Sequence, residues 1–297
     1  MTELTGREMM RNLYRLIEGD GLSLDDLRSN YDKLIAHAPV PADISVSEVD
    51  ADGVRCLLVG VAGTSEGRTI VWFHSGGYMV GSADAYQNFG YQLSKASGAQ
   101  VLLVDYRLAP EDPYPAPIED AVTAARWAIR TCPEGSVVIG GDSAGGGLCI
   151  AANVILRDAG LRPAAAIALS PLTDLAGRGE SMKTNGAGID YACTPETVAG
   201  MAQVYYPNGD PLDPKVSPIY DELHGLPPLY VTAGSIEALL DDSTRLVEKV
   251  NAAGGDAILE IGDDLGHIWP TFFSILPEGQ ATLERLGGFV RTHAKSA

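Results

Sequence analysis

Gly141-Asp142-Ser143-Ala144-Gly145 is the segment of this chain best suited to covalent chemistry. The apolar run Val137–Ile139 precedes it, and a helix-forming stretch begins near Gly146. A serine on a tight strand-to-helix turn, flanked by small residues that permit a strained backbone, projects its hydroxyl above a sheet. The helix N-terminus beside it favours negative charge there. A glycine-rich turn or a phosphate cradle does not require serine at its centre, and no lysine follows as a P-loop demands. Ser143 is therefore the expected nucleophile of an acyl transfer. Attack on a carbonyl creates an oxyanion, which backbone N–H groups must stabilise. His74-Ser75-Gly76-Gly77-Tyr78 follows the apolar run Ile70–Phe73, and its glycines let the main chain come close. The expected donors are the N–H groups of Gly76, Gly77 and Ala144. His74 reads as an organiser of this loop rather than as a base.

Such a turn needs a buried strand in front of it and a helix behind it, and the rest of the chain supplies both repeatedly. Ile44 to Val49 alternates apolar with polar, Cys56 to Val61 is mostly apolar, and Asp52-Gly53 between them is a hairpin signal. Short apolar runs recur at Ile70–Phe73, Val101–Val104, Val137–Ile139, Ala165–Leu169, Leu229–Thr232 and Ala257–Ile261. Helical stretches such as Asp120–Arg130, Gly147–Asp158 and Asp242–Ala253 separate most of them. That rhythm predicts an α/β fold with a mostly parallel sheet covered on both faces, antiparallel at one edge. The first forty residues read as two amphipathic helices, with Leu13, Leu16 and Ile17 in one and Leu24, Leu27, Tyr31 and Leu34 in the other. Ser23 is the expected N-cap of the second. Residues 176–226 show no strand pattern and are rich in Gly, Pro, Tyr and Asp. So long an interval inside a compact domain is usually functional. The expectation is one domain over residues 1–297, with a cap formed by residues 1–40 and 176–226.

Composition narrows the partners. Twenty-one basic against 39 acidic residues give a formal charge of −18, which disfavours nucleic acid, anionic membranes and anionic substrates. The four cysteines, Cys56, Cys132, Cys149 and Cys193, have neither close pairing nor metal-type spacing. Charged residues interrupt the stretch from Met1 to Gly21, so no signal peptide is expected. No run reaches transmembrane length, and the expected location is cytoplasmic. Gly145-Gly146-Gly147 does not make a dinucleotide fingerprint, so neither a cofactor nor a metal is expected.

The motifs HSGGY (74–78), DYRLAPE (105–111) and GDSAGGG (141–147) together resemble those of the hormone-sensitive lipase family of bacterial esterases, over nearly the whole chain. The resemblance implies an α/β-hydrolase fold, a helical cap and cofactor-free ester hydrolysis. Ser75 departs from it, since the family usually has glycine there. In that fold the acid and then the histidine follow the serine. Among His37, His74, His224, His267 and His293, this order selects His267, in the loop after the last strand. The family's orienting aspartate corresponds to Glu237, and Asp241 is the alternative. Either carboxylate can accept the Nδ1 proton of the base. Arg107 is expected to tie its loop together through an ion pair, and Asp142 to be structural. Leu27, Tyr31, Ile189, Tyr191, Tyr205 and Tyr206 could line an acyl pocket, with plain packing between cap and body the preferred reading of each. Tyr31, Tyr191 and Tyr205 are the substrate-binding candidates.

The expected substrate is a small, neutral ester of a short-chain acid, or a lactone. The resemblance extends to lactone hydrolases through Leu-Leu-Asp-Asp-Ser (239–243), and it suggests a homodimer. An amidase or arylformamidase, and a non-catalytic binding protein of the same fold, are the competing readings. Fold likeness alone does not separate these activities.

Overall fold

Two capping boxes start the chain. The structure, a computed structural model, describes residues 4–19, 21–61 and 67–296. Residues 1–3, Asp20 and residue 297, which belong to the expected domain and cap boundaries, lie outside the described residues. Thr5 caps α1 (Gly6–Tyr14), its hydroxyl accepting from the Glu8 N–H while the Glu8 carboxylate accepts from the Thr5 N–H. Ser23 and Asp26 do the same for α2 (Leu24–Ile35), as the sequence predicts. The helix expected through Leu16 and Ile17 instead stops at Tyr14. Arg15–Ile17 form a short 3₁₀ turn, and Leu16 faces solvent.

β1 (Ile44–Ala51) and β2 (Val54–Val61) form the predicted hairpin, with positive φ at both Asp52 (58°) and Gly53 (96°). The chain continues through β3 (Thr69–Phe73), α3 (Gln87–Ser97), β4 (Gln100–Val104), α4 (Ala116–Thr131), β5 (Val137–Asp142), α5 (Ala144–Asp158) and β6 (Ala165–Leu169). Residues 176–226 hold α6 (Glu180–Thr184) and α7 (Pro195–Tyr205) and no strand. β7 (Leu229–Gly234), α8 (Leu240–Ala252), β8 (Ala257–Gly262) and α9 (Pro277–His293) complete it.

Among the described residues, eight strands form one sheet in the order β1-β2-β4-β3-β5-β6-β7-β8. β1, β2 and β4 pair antiparallel in turn, and every other pair is parallel. The mixed sheet with an antiparallel edge is thus as expected. β3 shows why its strand reads as a continuous apolar run. Val71 and Phe73 enter a core shared with α4, α5 and α8, while Ile70 and Trp72 enter the opposite core beneath α3 and α9. Burial on both faces contributes roughly 1.5–3 kcal/mol for each large apolar side chain, so the centre of the sheet is the rigid platform of the molecule. β3, β5, β6 and β7 all point the same way, and their C-terminal ends converge at one rim.

Candidate active site

β5 runs three residues past its apolar core, to Asp142, and α5 begins at Ala144. Ser143 alone makes the turn, with φ 53° and ψ −119°. A non-glycine residue in such a region costs on the order of 1–3 kcal/mol and needs its surroundings to hold it. Three backbone bonds do so. The Ser143 N–H donates to the Leu169 carbonyl at 2.9 Å, and its carbonyl accepts from Gly147 (3.0 Å) and Leu172 (2.9 Å). The flanking glycines are steric requirements: a Cβ at Gly141 would collide with the Gly145 carbonyl, and one at Gly145 with the Phe73 carbonyl.

His267, in the loop after β8, places Nε2 2.9 Å from Ser143 Oγ and Nδ1 2.8 Å from Glu237 Oε2. A carboxylate at Nδ1 assigns the proton to that nitrogen, leaving Nε2 to accept from the serine. Glu237 is fully buried just beyond β7. Its Oε1 accepts from Ser170 Oγ at 2.7 Å and from the Gly234 N–H at 2.5 Å, so its longer side chain is fixed at both oxygens. Ser170 Oγ also accepts from the Ile268 N–H at 3.1 Å, tying the acid loop to the histidine loop. Burial works to lower the pKa of His267, but the hydrogen bond and charge of Glu237 outweigh it, with Asp190 and Asp142 adding to them. The net shift is upward from the ordinary imidazole value.

Gly76 and Gly77 adopt positive φ (124° and 60°) that a side chain would strain. Among the described residues no acceptor takes the N–H of Gly76, Gly77 or Ala144. His74 is occupied as a loop organiser: its ring stacks on Tyr106 with centroids 4.2 Å apart, and Nδ1 lies 2.8 Å from the Ser75 carbonyl. Tyr106 Oη donates to the His74 carbonyl at 2.8 Å. Asp142 accepts from Trp72 Nε1 at 3.0 Å and from Tyr86 Oη at 2.5 Å. Burial pushes its carboxyl up to about 6 despite those bonds. Arg107, in the loop after β4, pairs with the buried Asp120 of α4 at 2.8 Å, so the ion pair ties that loop to the helix.

Ser143, His267, Gly76 and Gly77 form the floor of a cavity of about 670 Å³. Tyr14, Leu27 and Tyr31 from the first two helices and Tyr191, Cys193 and Met201 from the 176–226 segment are among its walls. Tyr31 and Tyr191, two of the substrate-binding candidates, thus line the cavity. Tyr205 does not: it lies outside the cavity, stacked flat on Tyr78 at 3.8 Å in the core. Helix geometry explains this, because Thr197, Met201 and Val204 of α7 face the cavity while Val198 and Tyr205 face inward. Ile189 is solvent-exposed, and Tyr206 lines a second cavity of about 540 Å³ beside Arg178 and Asp210. Asp241 is bonded to Ser181 of α6, through its carboxylate and its N–H, at 2.9 Å each.

Three residues that hold these loops were not among those the sequence singled out. Tyr14 Oη donates to the His267 carbonyl at 2.9 Å. Asp190 accepts from the N–H groups of Ala192 and Ala238, both at 2.7 Å. Asn185 Nδ2 donates to the carbonyls of Ser235 (3.1 Å) and Glu237 (2.9 Å). Only Tyr14 left a trace in the sequence: the Thr5/Glu8 box sets the phase of α1 and so puts Met10 and Tyr14 on one buried face.

The sheet order and the serine turn define an α/β hydrolase, and a sequence profile described as alpha/beta hydrolase fold matches residues 70–271. The chain belongs to that family and, within it, to the bacterial hormone-sensitive lipase type. An acetyl-hydrolase of Streptomyces hygroscopicus is 39% identical over 255 residues, 85% of this chain and 83% of that one. An esterase of Acinetobacter venetianus is 31% identical over 90% of this chain and 89% of its own. A solved structure of an esterase from the bacterial hormone-sensitive lipase family superposes with a TM-score of 0.94, at 38% identity over 99% of both chains. Among the described residues, no helix is long and apolar enough to cross a membrane.

Proposed function

We propose that this protein hydrolyses carboxylic esters of short-chain acids by two-step acyl transfer on Ser143. The observation that carries the proposal is the line Ser143–His267–Glu237, with contacts of 2.9 and 2.8 Å, at the floor of the cavity. His267 takes the serine proton as Ser143 attacks the ester carbonyl, and Glu237 stabilises the imidazolium. The oxyanion rests on the N–H groups of Gly76, Gly77 and Ala144. His267 then protonates the leaving alcohol, and water activated by the same histidine releases the acid. The first two helices and residues 176–226 act as the cap. The relatives named acetyl-hydrolase and esterase support the reaction class, and a 670 Å³ cavity suits a small ester. Lactones, as cyclic esters, meet the same machinery and are part of the proposal. So is a homodimer through the edge strand β8, where Ile258 and Ile261 are 45% and 50% exposed, to be checked by light scattering of the eluted protein.

The test is hydrolysis of p-nitrophenyl acetate, butyrate, octanoate and laurate beside ε-caprolactone and matched amides. Wild type is expected to favour the short esters, and Ser143→Ala to lose on the order of 10⁵–10⁶ in turnover. A wild type that cleaves only amides, or that fails to react with an organophosphate, overturns the proposal in favour of an amidase or a binding protein.

A further inference from the structure

Ser75 stands directly before the two glycines of the oxyanion loop and is fully buried. Its Oγ lies between two phenols, 2.5 Å from Tyr86 Oη and in a short hydrogen bond with Tyr31 Oη. Tyr86 Oη continues to Asp142 Oδ2 at 2.5 Å. The line therefore begins in the cavity wall on α2, crosses the loop that carries Gly76 and Gly77, and ends on the residue before Ser143.

One proton per hydroxyl fixes its direction. Asp142, already accepting from Trp72 Nε1, takes the Tyr86 proton. The Tyr86 oxygen then accepts, as it does from the Ser75 N–H at 3.2 Å, so the Ser75 hydroxyl donates to Tyr86. Ser75 Oγ is left to accept from Tyr31. A glycine at position 75 would keep the N–H bond to Tyr86 and lose the link to Tyr31.

Neighbouring contacts on α2 point the same way. Arg28 Nε donates to the Met79 carbonyl at 3.0 Å, and Asp32 Oδ2 accepts from Ser82 Oγ at 3.0 Å. Positions 28, 31 and 32 lie on one helical face, and all three meet residues 75–82, Arg28 pairing with Glu111 as well.

We propose that Tyr31 and Ser75 are positioning residues for the hydrolysis: α2, through this ordered chain of hydroxyls, sets the oxyanion loop against Ser143. Seating of the cap helix and alignment of the N–H donors thereby become one event. The inference rests on the function proposed above.

The test uses full-length Tyr31→Phe, Ser75→Ala and the double variant, with p-nitrophenyl butyrate as substrate and a trifluoromethyl ketone as oxyanion-forming inhibitor. Each single variant should lower kcat about three- to tenfold, the loss of one hydrogen bond, with KM within about twofold. Inhibitor affinity should fall by the same factor as kcat. The double variant should be no slower than the slower single one, because either change breaks the same chain. Singles with unaltered kcat, losses confined to KM, or losses that multiply in the double variant would each overturn the inference. Should Ser75→Ala fail to fold, Tyr31→Phe decides alone, since it removes one oxygen and keeps the ring. A wild type inactive on every ester overturns the function beneath it as well, whereas an active wild type with indifferent variants overturns only this link.

Discussion

At the residue scale, the unusual member of the proposed catalytic line is Glu237. Its extra methylene relative to aspartate is accommodated because both oxygens are held, one by Ser170 and Gly234 and the other by His267. The consequence is electrostatic. His267 must be neutral to act as base, and its pKa is raised because Glu237 outweighs burial. Activity is therefore expected to fall as pH drops through a value above that of an ordinary imidazole. In Glu237→Gln the burial remains and the charge is gone, so the acidic limb of kcat/KM should move to lower pH. Its plateau should drop about 10⁴-fold, since the amide no longer selects the productive tautomer. A pH–rate profile of the variant whose limb stays in place would sink the assignment of Glu237. A second prediction concerns the strained turn. Gly145→Ala meets the Phe73 carbonyl, and the variant should lose most of its activity and several degrees of melting temperature. Ser143 and its glycines were legible in the sequence because their constraint is local and steric. Tyr205 was misread because a tyrosine's position in a segment does not disclose which side of its helix meets the cavity.

At the element scale, the strands, the Asp52-Gly53 hairpin and the Ser23 cap could be read from periodicity and turn chemistry. What could not be read is how the 176–226 segment holds the acid loop, since those contacts span about fifty residues of chain and carry no periodic signal. Asp190 accepts two N–H groups, one from its own segment and one from Ala238, the residue after Glu237. Burial raises its pKa, and removing it would strand both donors. Each unpaired buried group costs roughly 1–3 kcal/mol. Asp190→Ala is accordingly expected to melt several degrees lower and to lose kcat, while Asp190→Asn, which keeps one acceptor oxygen, should retain more of both. Thermal melts and steady-state rates on the pair check this; equal behaviour of the two variants would show that the carboxylate is not what holds the Glu237 loop. Tyr14, reaching the His267 carbonyl from α1, makes the corresponding contact on the other side. The two segments that line the cavity thus each contact the backbone at or beside one member of the proposed catalytic line.

At the scale of the whole molecule, the formal charge of −18 has a direction as well as a size. Glu18 and Asp190 stand among the residues of the cavity itself, so the general field and the local one have the same sign. A carboxylate-bearing ester approaching this site is repelled over the screening length, which is about 30 Å at 0.01 M salt and about 3 Å at 1 M. A neutral ester of the same shape feels none of this. The ratio of kcat/KM for the neutral ester over that for its monoanionic isostere should therefore be on the order of ten at low ionic strength. It should shrink steadily as salt is added, almost entirely through the anionic substrate. A ratio that does not respond to salt would assign the discrimination to a contact inside the cavity, and a preference for the anion would mean that a local cation overrides the field. A ratio that shrinks with salt is the outcome this charge distribution demands, because only long-range repulsion is lost on screening while the shape of the cavity stays the same.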